Sequence, residues 1–127
     1  MKDSDHLTAV RRLFEAVLNG QDLDAIEGIY APGCVVHPNS AVRSVLRGIE
    51  ARKDAVRDAH VAFRDLTYRI EDLVAEGDRV ACRWSCSGVH THEYLSVPPS
   101  GLPTTWQGMT FFRFAEGVIV EEWWAYD

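Results

Sequence analysis

Near residue 65 the hydrophobic repeat of this chain changes from three-and-four to two, and it does not change back. Before that point Leu7, Val10, Phe14, Val17 and Leu18 recur at helical spacing, with Ser4 or Asp5 as a cap and Gly20 as a stop. A second short helix is expected from Asp22, with Leu23, Ile26 and Tyr30 on one side, ending before Ala31-Pro32-Gly33. "CVVHP" then reads as a brief extended piece halted by Pro38. Gly48 leads into a third helix, where Ile49, Lys53, Val56, His60 and Phe63 form one stripe. Everything beyond Asp65 reads as strand. "LTYRIEDLVAEG" turns at Glu76-Gly77-Asp78, "RVACRWSCSGVHTHEYL" is a long second strand, and the final segment is a hairpin turning at Ala115-Glu116-Gly117. "SVPPSGLP" between them is a loop. Helices first and long antiparallel strands after them predict an α+β domain. A strongly twisted sheet can wrap one long helix and leave a cavity at its open end.

With 127 residues the chain is expected to form one domain spanning 1–127. A net charge of −6 argues against a nucleic-acid partner, which would need clustered Lys and Arg. The basic runs (Arg11, Arg12; Arg43, Arg47; Arg52, Lys53, Arg57) are interleaved with acids and read as solvated helix faces. Three cysteines leave no disulfide framework. Cys82 and Cys86 share a strand face but lie about 13 Å apart along it, too far to bridge. Lys2, Asp3 and Asp5 precede a helix pattern rather than a signal sequence, and no apolar run approaches membrane-spanning length. The expected location is the cytoplasm, with no membrane partner.

"LFEAVLNGQDLDAIEGIYAPGCVVH", "SGVHTHEYLSVPPSG" and "WQGMTFFRFAEGVIVEEWWAYD" resemble the SnoaL-like polyketide cyclases of the NTF2-like superfamily, nearly without gaps. The resemblance implies a cone: three N-terminal helices packed on a strongly curved, mostly antiparallel sheet that encloses a pocket. It also implies a homodimer through the outer sheet face. Counting back from Asp127, the aspartate proposed as general acid/base in the aromatic polyketide cyclases falls at Trp124, and an assisting histidine falls at Thr110. The opening "TAVRRLFEAVLNGQDLDAI" is similar to steroid isomerases of the same superfamily. There the oxyanion-binding tyrosine corresponds to Phe14, the general-base aspartate to His37, and the protonated aspartate again to Thr110.

Strand alternation adds an independent reading. If Thr110 faces the cavity, Trp106, Gly108, Phe112 and Phe114 share its face; on the last strand Val120, Glu122, Trp124 and Tyr126 go together, opposite Glu121 and Trp123. His37 is the expected general acid/base, since imidazole titrates near neutral pH, with Glu122 or Asp127 as the carboxylate that orients it or returns the proton. Glu122 beside Trp124 is either a desolvated acid or the partner of an arginine such as Arg83 or Arg113. His60 is either a satisfied core residue or a pocket-lining donor. His90 and His92, two apart, point the same way as in many metal sites, but a third ligand such as His37 would be needed, and no metal is expected. Phe14, His60, Trp84, His90, Trp106, Thr110, Phe112 and Trp124 are the expected substrate-binding residues. The expectation is a cofactor-independent cyclase or isomerase of secondary metabolism acting on a bulky apolar small molecule, polyketide- or terpenoid-like. An epoxide hydrolase or hydroxylase-like member of the fold, and a non-catalytic ligand-binding dimer, are the alternatives.

Overall fold

The structure, a computed structural model, describes residues 2–38 and 44–126. Helix α1 (Lys2–Arg12) continues into a π-helical stretch, Leu13–Asn19, which buries Leu13, Phe14, Val17 and Leu18. The widened π turn lets adjacent pairs of apolar residues face the sheet together. Gly20 closes it. A short 3₁₀ turn, Leu23–Ala25, is capped by the Asp22 carboxylate, which accepts from the Ala25 N–H at 3.3 Å, and leads into α2 (Ile26–Ile29).

Strands β1 (Tyr30–His37) and β2 (Leu46–Arg47) precede α3 (Ile49–Ala62). Then come β3 (Phe63–Glu76), β4 (Arg79–His90), β5 (Pro103–Ala115) and β6 (Val118–Tyr126). The strands form one six-stranded sheet in the order β2-β1-β6-β5-β4-β3. The α+β expectation is met, with one correction to the arrangement: α3 follows two strands, so the helices are not all N-terminal. β1 pairs in parallel with β6, while the other pairings are antiparallel. That parallel pairing brings residues early in the chain beside its last strand.

Irregularities in the ladder bend the sheet around α3. In β3 the register shifts between Arg64 and Thr67, where Asp65 takes a φ of 57°, and again between Ile70 and Asp72. In β6 Arg113 pairs with Glu121 but Phe114 with Ile119, so Val120 is an extra, bulged residue. Alternation alone places Val120 inward; the bulge instead buries Ile119 completely and leaves Val120 half-buried. From Glu122 onward the alternation resumes as read from the sequence. β4 stops at His90 rather than running to Leu95, because the Thr91 and His92 amides both turn to the Ala62 carbonyl, at 2.8 and 3.2 Å. This ties the end of β4 to the end of α3. At Gly108 a Cβ would lie 2.7 Å from the Trp84 indole and 2.5 Å from the Ala125 carbonyl oxygen. Glycine at this position leaves the room that the ring occupies.

Candidate functional site

Between α3 and the concave face of the sheet lies a cavity of about 360 Å³. The helix contributes Ala55, Val56 and Ala59, whose small side chains hold back from the sheet, together with Arg52 and His60. Trp84, Trp106 and Trp124 wall the opposite side with Tyr68 and Tyr126. Tyr94, Leu95 and Val97, from the loop after β4, line one end. This is an aromatic container with a few polar groups set into it, the usual composition of a small-molecule site.

One polar cluster is buried beside it. Arg52, only 5% exposed, donates from Nε to the Tyr30 hydroxyl at 3.0 Å and lies 3.5 Å from the Glu122 carboxylate. Its guanidinium also sits 5.6 Å from the ring centres of both Tyr30 and Trp124. Burial disfavours the cation, but Tyr30 and Glu122 beside it outweigh that cost and push the pKa up, so Arg52 remains charged. Burial likewise pushes the Tyr30 phenol well above its ordinary value, and the Glu122 charge adds to the rise. Glu122 is completely buried; its Oε2 accepts from the Trp124 indole N–H, while Oε1 has no hydrogen-bond partner among the described residues. Glu122 does not itself line the cavity; Arg52 and Trp124 do.

His37 lies elsewhere. Val36 lines the cavity, and alternation turns the next side chain to the other face of the sheet. There His37 Nε2 is 2.7 Å from Glu121, which also accepts from Arg113 at 3.0 Å, and the imidazole stacks on Trp123. The hydrogen bond from His37, with that from Arg113, lowers the Glu121 pKa. His37 thus does not line the cavity, and its side chain pairs with Glu121 rather than with Glu122, one of the two carboxylates expected to orient it.

His60, Trp84, His90, Trp106 and Trp124, all expected in the pocket, line the cavity. His60 Nε2 donates to the Leu18 carbonyl at 2.6 Å, so this nitrogen is already satisfied. Phe14, Thr110 and Phe112 are core residues instead: each is at most 2% exposed and none lines the cavity. Thr110 Oγ1 accepts from the Trp84 indole at 2.9 Å, which fixes the ring that forms the wall. His90 is buried and His92 exposed, with His92 Nδ1 3.1 Å from the Thr91 hydroxyl. Among the described residues no group of three or more His, Cys, Asp or Glu could hold a metal ion. Asp127 lies outside the described residues. Arg83 and Arg113 pair with Asp72 and Glu121 on the outer face; the arginine beside Glu122 is Arg52. Arg52 and Lys53, expected on a solvated face, are both buried. The signal for Arg52 was its spacing: it lies four residues before Val56 and seven before Ala59, on the inward stripe of α3.

The family profile of the SnoaL-like polyketide cyclases matches residues 8–127. The chain belongs to the SnoaL-like polyketide cyclase family. Solved structures agree with this assignment. A SnoaL-like polyketide cyclase candidate from Jannaschia sp. CCS1 is 26% identical and superposes with a TM-score of 0.89, over 98% of this chain and 87% of that one. IdmH from Streptomyces antibioticus, a candidate polyketide cyclase, is 29% identical with a TM-score of 0.81, over 94% of this chain and 90% of its own. AclR from Streptomyces galilaeus, a candidate hydroxylase, is 24% identical with a TM-score of 0.78, over 98% and 90%, and shares the fold. A comparison with curated proteins finds no significant match. Within this SnoaL-like chain, Trp124 donates its indole N–H to Glu122, two residues earlier.

Proposed function

We propose that this SnoaL-like protein is a cofactor-independent cyclase or isomerase acting on a bulky, mostly apolar carbonyl compound, polyketide- or terpenoid-like. The observation that carries the reading is the buried cation: Arg52 lines an aromatic cavity while Glu122 and Tyr30 hold it in place. In water-poor surroundings a preset guanidinium stabilises charge developing on a ligand oxygen far better than solvent does. Arg52 therefore meets the carbonyl oxygen and stabilises the enolate formed when a neighbouring C–H loses its proton. Asp127, the residue directly after the cavity-lining Tyr126, is the carboxylate proposed to exchange that proton, while Glu122, which does not line the cavity, holds Arg52 in place. Ring closure or a shift of the double bond then depends on the substrate's own carbons.

The alternative is a non-catalytic binder of the same ligand. It is favoured by Trp124 and Phe14 standing where the compared enzymes carry ionisable or hydroxylated groups. One experiment separates the two. Ligand that co-purifies with the protein is identified by native mass spectrometry and its close relatives are offered as substrates. Turnover that is lost in Arg52→Met and kept in His37→Ala supports the enzyme. Tight binding without turnover supports the binder, and turnover unaffected by Arg52→Met overturns the mechanism.

A further inference from the structure

Tyr68, Tyr94, Thr104, Thr105 and Tyr126 add hydroxyls to the cavity from the sheet and the loop after β4, while its ionisable nitrogen groups follow the course of α3. Arg52 stands in its first turn and His60 in its last. His90 lies just past the C-terminal end, with its ring stacked on Phe63 at 4.6 Å and the next amide, Thr91 N–H, bonded to the Ala62 carbonyl. From Arg52 to Ala62 the helix rises roughly 15 Å, at about 1.5 Å per residue. The wall between is apolar, formed by Val56, Ala59 and Trp84.

His90 has no evident structural bond to make with its side chain. It is 7% exposed, it lines the cavity, and its Nε2 has no hydrogen-bond partner among the described residues. A phenylalanine would stack on Phe63 equally well without leaving a polar atom unpaired, which is unfavourable in a buried site. His60 offers the contrast, because its Nε2 is already committed to Leu18.

We infer that His90 is a hydrogen-bonding station for the ligand: the occupant carries a second oxygen, as hydroxyl or carbonyl, at the end remote from Arg52. The inference rests on the proposed function only in taking Arg52 as the other end. The backbone rise of roughly 15 Å between the two ends sets the scale, and a rigid aromatic of three linearly fused six-membered rings with an oxygen at each end fits within it once about 3 Å is allowed for a hydrogen bond at each end. A neutral imidazole suits either group, since the unpartnered nitrogen accepts from a hydroxyl in one tautomer and donates to a carbonyl in the other.

The test uses two flat probes, anthracene with a hydroxyl at one end and anthracene with a hydroxyl at both. Affinity is read from quenching of tryptophan emission, since Trp84, Trp106 and Trp124 all line the cavity. The two-ended probe is expected to bind about tenfold tighter, the value of one buried hydrogen bond. His90→Phe, which keeps the stacked ring, is expected to abolish that preference, and so is methylation of the probe's second hydroxyl in the unaltered protein. Equal affinity for both probes in the unaltered protein, or a preference that survives in His90→Phe, overturns the assignment. Arg52→Met separates the two claims: no weakening of the one-ended probe sinks the Arg52 reading alone, whereas failure of both probes to bind the folded protein sinks both.

Discussion

Replacing Arg52 by methionine keeps an unbranched apolar stem, two heavy atoms shorter than arginine's, and removes the charge, so it tests what the buried cation does. Arg52 is 5% exposed and Glu122 is not exposed at all, with 3.5 Å between them. Without Arg52, the Glu122 carboxylate keeps the Trp124 indole donor but loses its counter-charge, and the Tyr30 hydroxyl loses the Nε donor. Removing one member of a buried pair costs about 3–5 kcal/mol, mostly because the other is left uncompensated. For a domain of this size that corresponds to a fall of roughly 10–20 °C in Tm, and to a large part of the ~5–15 kcal/mol that holds such domains folded. Urea unfolding followed by circular dichroism measures it. The companion is Arg52→Met with Glu122→Leu, which removes both charges. If the pair works as described, the double variant is more stable than the sum of the two single losses by several kcal/mol. A loss below about 1 kcal/mol in Arg52→Met, or strict additivity in the double variant, would refute the claim that the pair is a coupled buried unit.

Four further outcomes follow from the burial, contacts and backbone described above. The Glu121 pKa is lowered by His37 and Arg113, so its contribution to stability is present above the ordinary carboxylate pKa and is lost as pH falls through the depressed value; Glu121→Gln should flatten the acid limb of a stability–pH curve. Burial pushes the Cys82 and Cys86 thiols up to about 12, so a thiol reagent at neutral pH should label them only as fast as the protein opens, and labelling at the free-thiol rate would contradict this burial. The same rise makes folding weaken as pH climbs from the ordinary thiol value toward about 12. Ser96, exposed and at φ 69° in the tight turn after Leu95, should gain about 1 kcal/mol on mutation to glycine, visible as a higher Tm.

The change of hydrophobic period near residue 65 located the switch from α3 to the four long strands, although β1 and β2 precede it, and the alternation of β6 correctly separated Glu122 and Trp124 from Glu121 and Trp123. Three features were not legible, each for a physical reason. The bulge at Val120 adds a residue that no alternation pattern announces, so Ile119 and not Val120 faces inward. The parallel pairing of β1 with β6 joins segments far apart in the chain, and from a local pattern His37 could be assigned to either face. Arg52 was read by its charge, as a surface residue, although its spacing from Val56 put it on the inward stripe. Only the contact with Glu122, from the far end of the chain, explains why a cation is tolerated there. Phe14, Thr110 and Phe112 share the face of the cavity residues but lie deeper, and period alone does not report depth.

The most direct test of the account is the ionisation of a bound naphthol, a flat phenol whose neutral and anionic forms absorb differently. If Arg52 is preset for a developing oxyanion, naphthol in the cavity should ionise at a lower pH than in solution, and Arg52→Met should abolish the shift while His37→Ala leaves it intact. Bound naphthol that stays neutral up to or beyond its solution pKa would contradict the account.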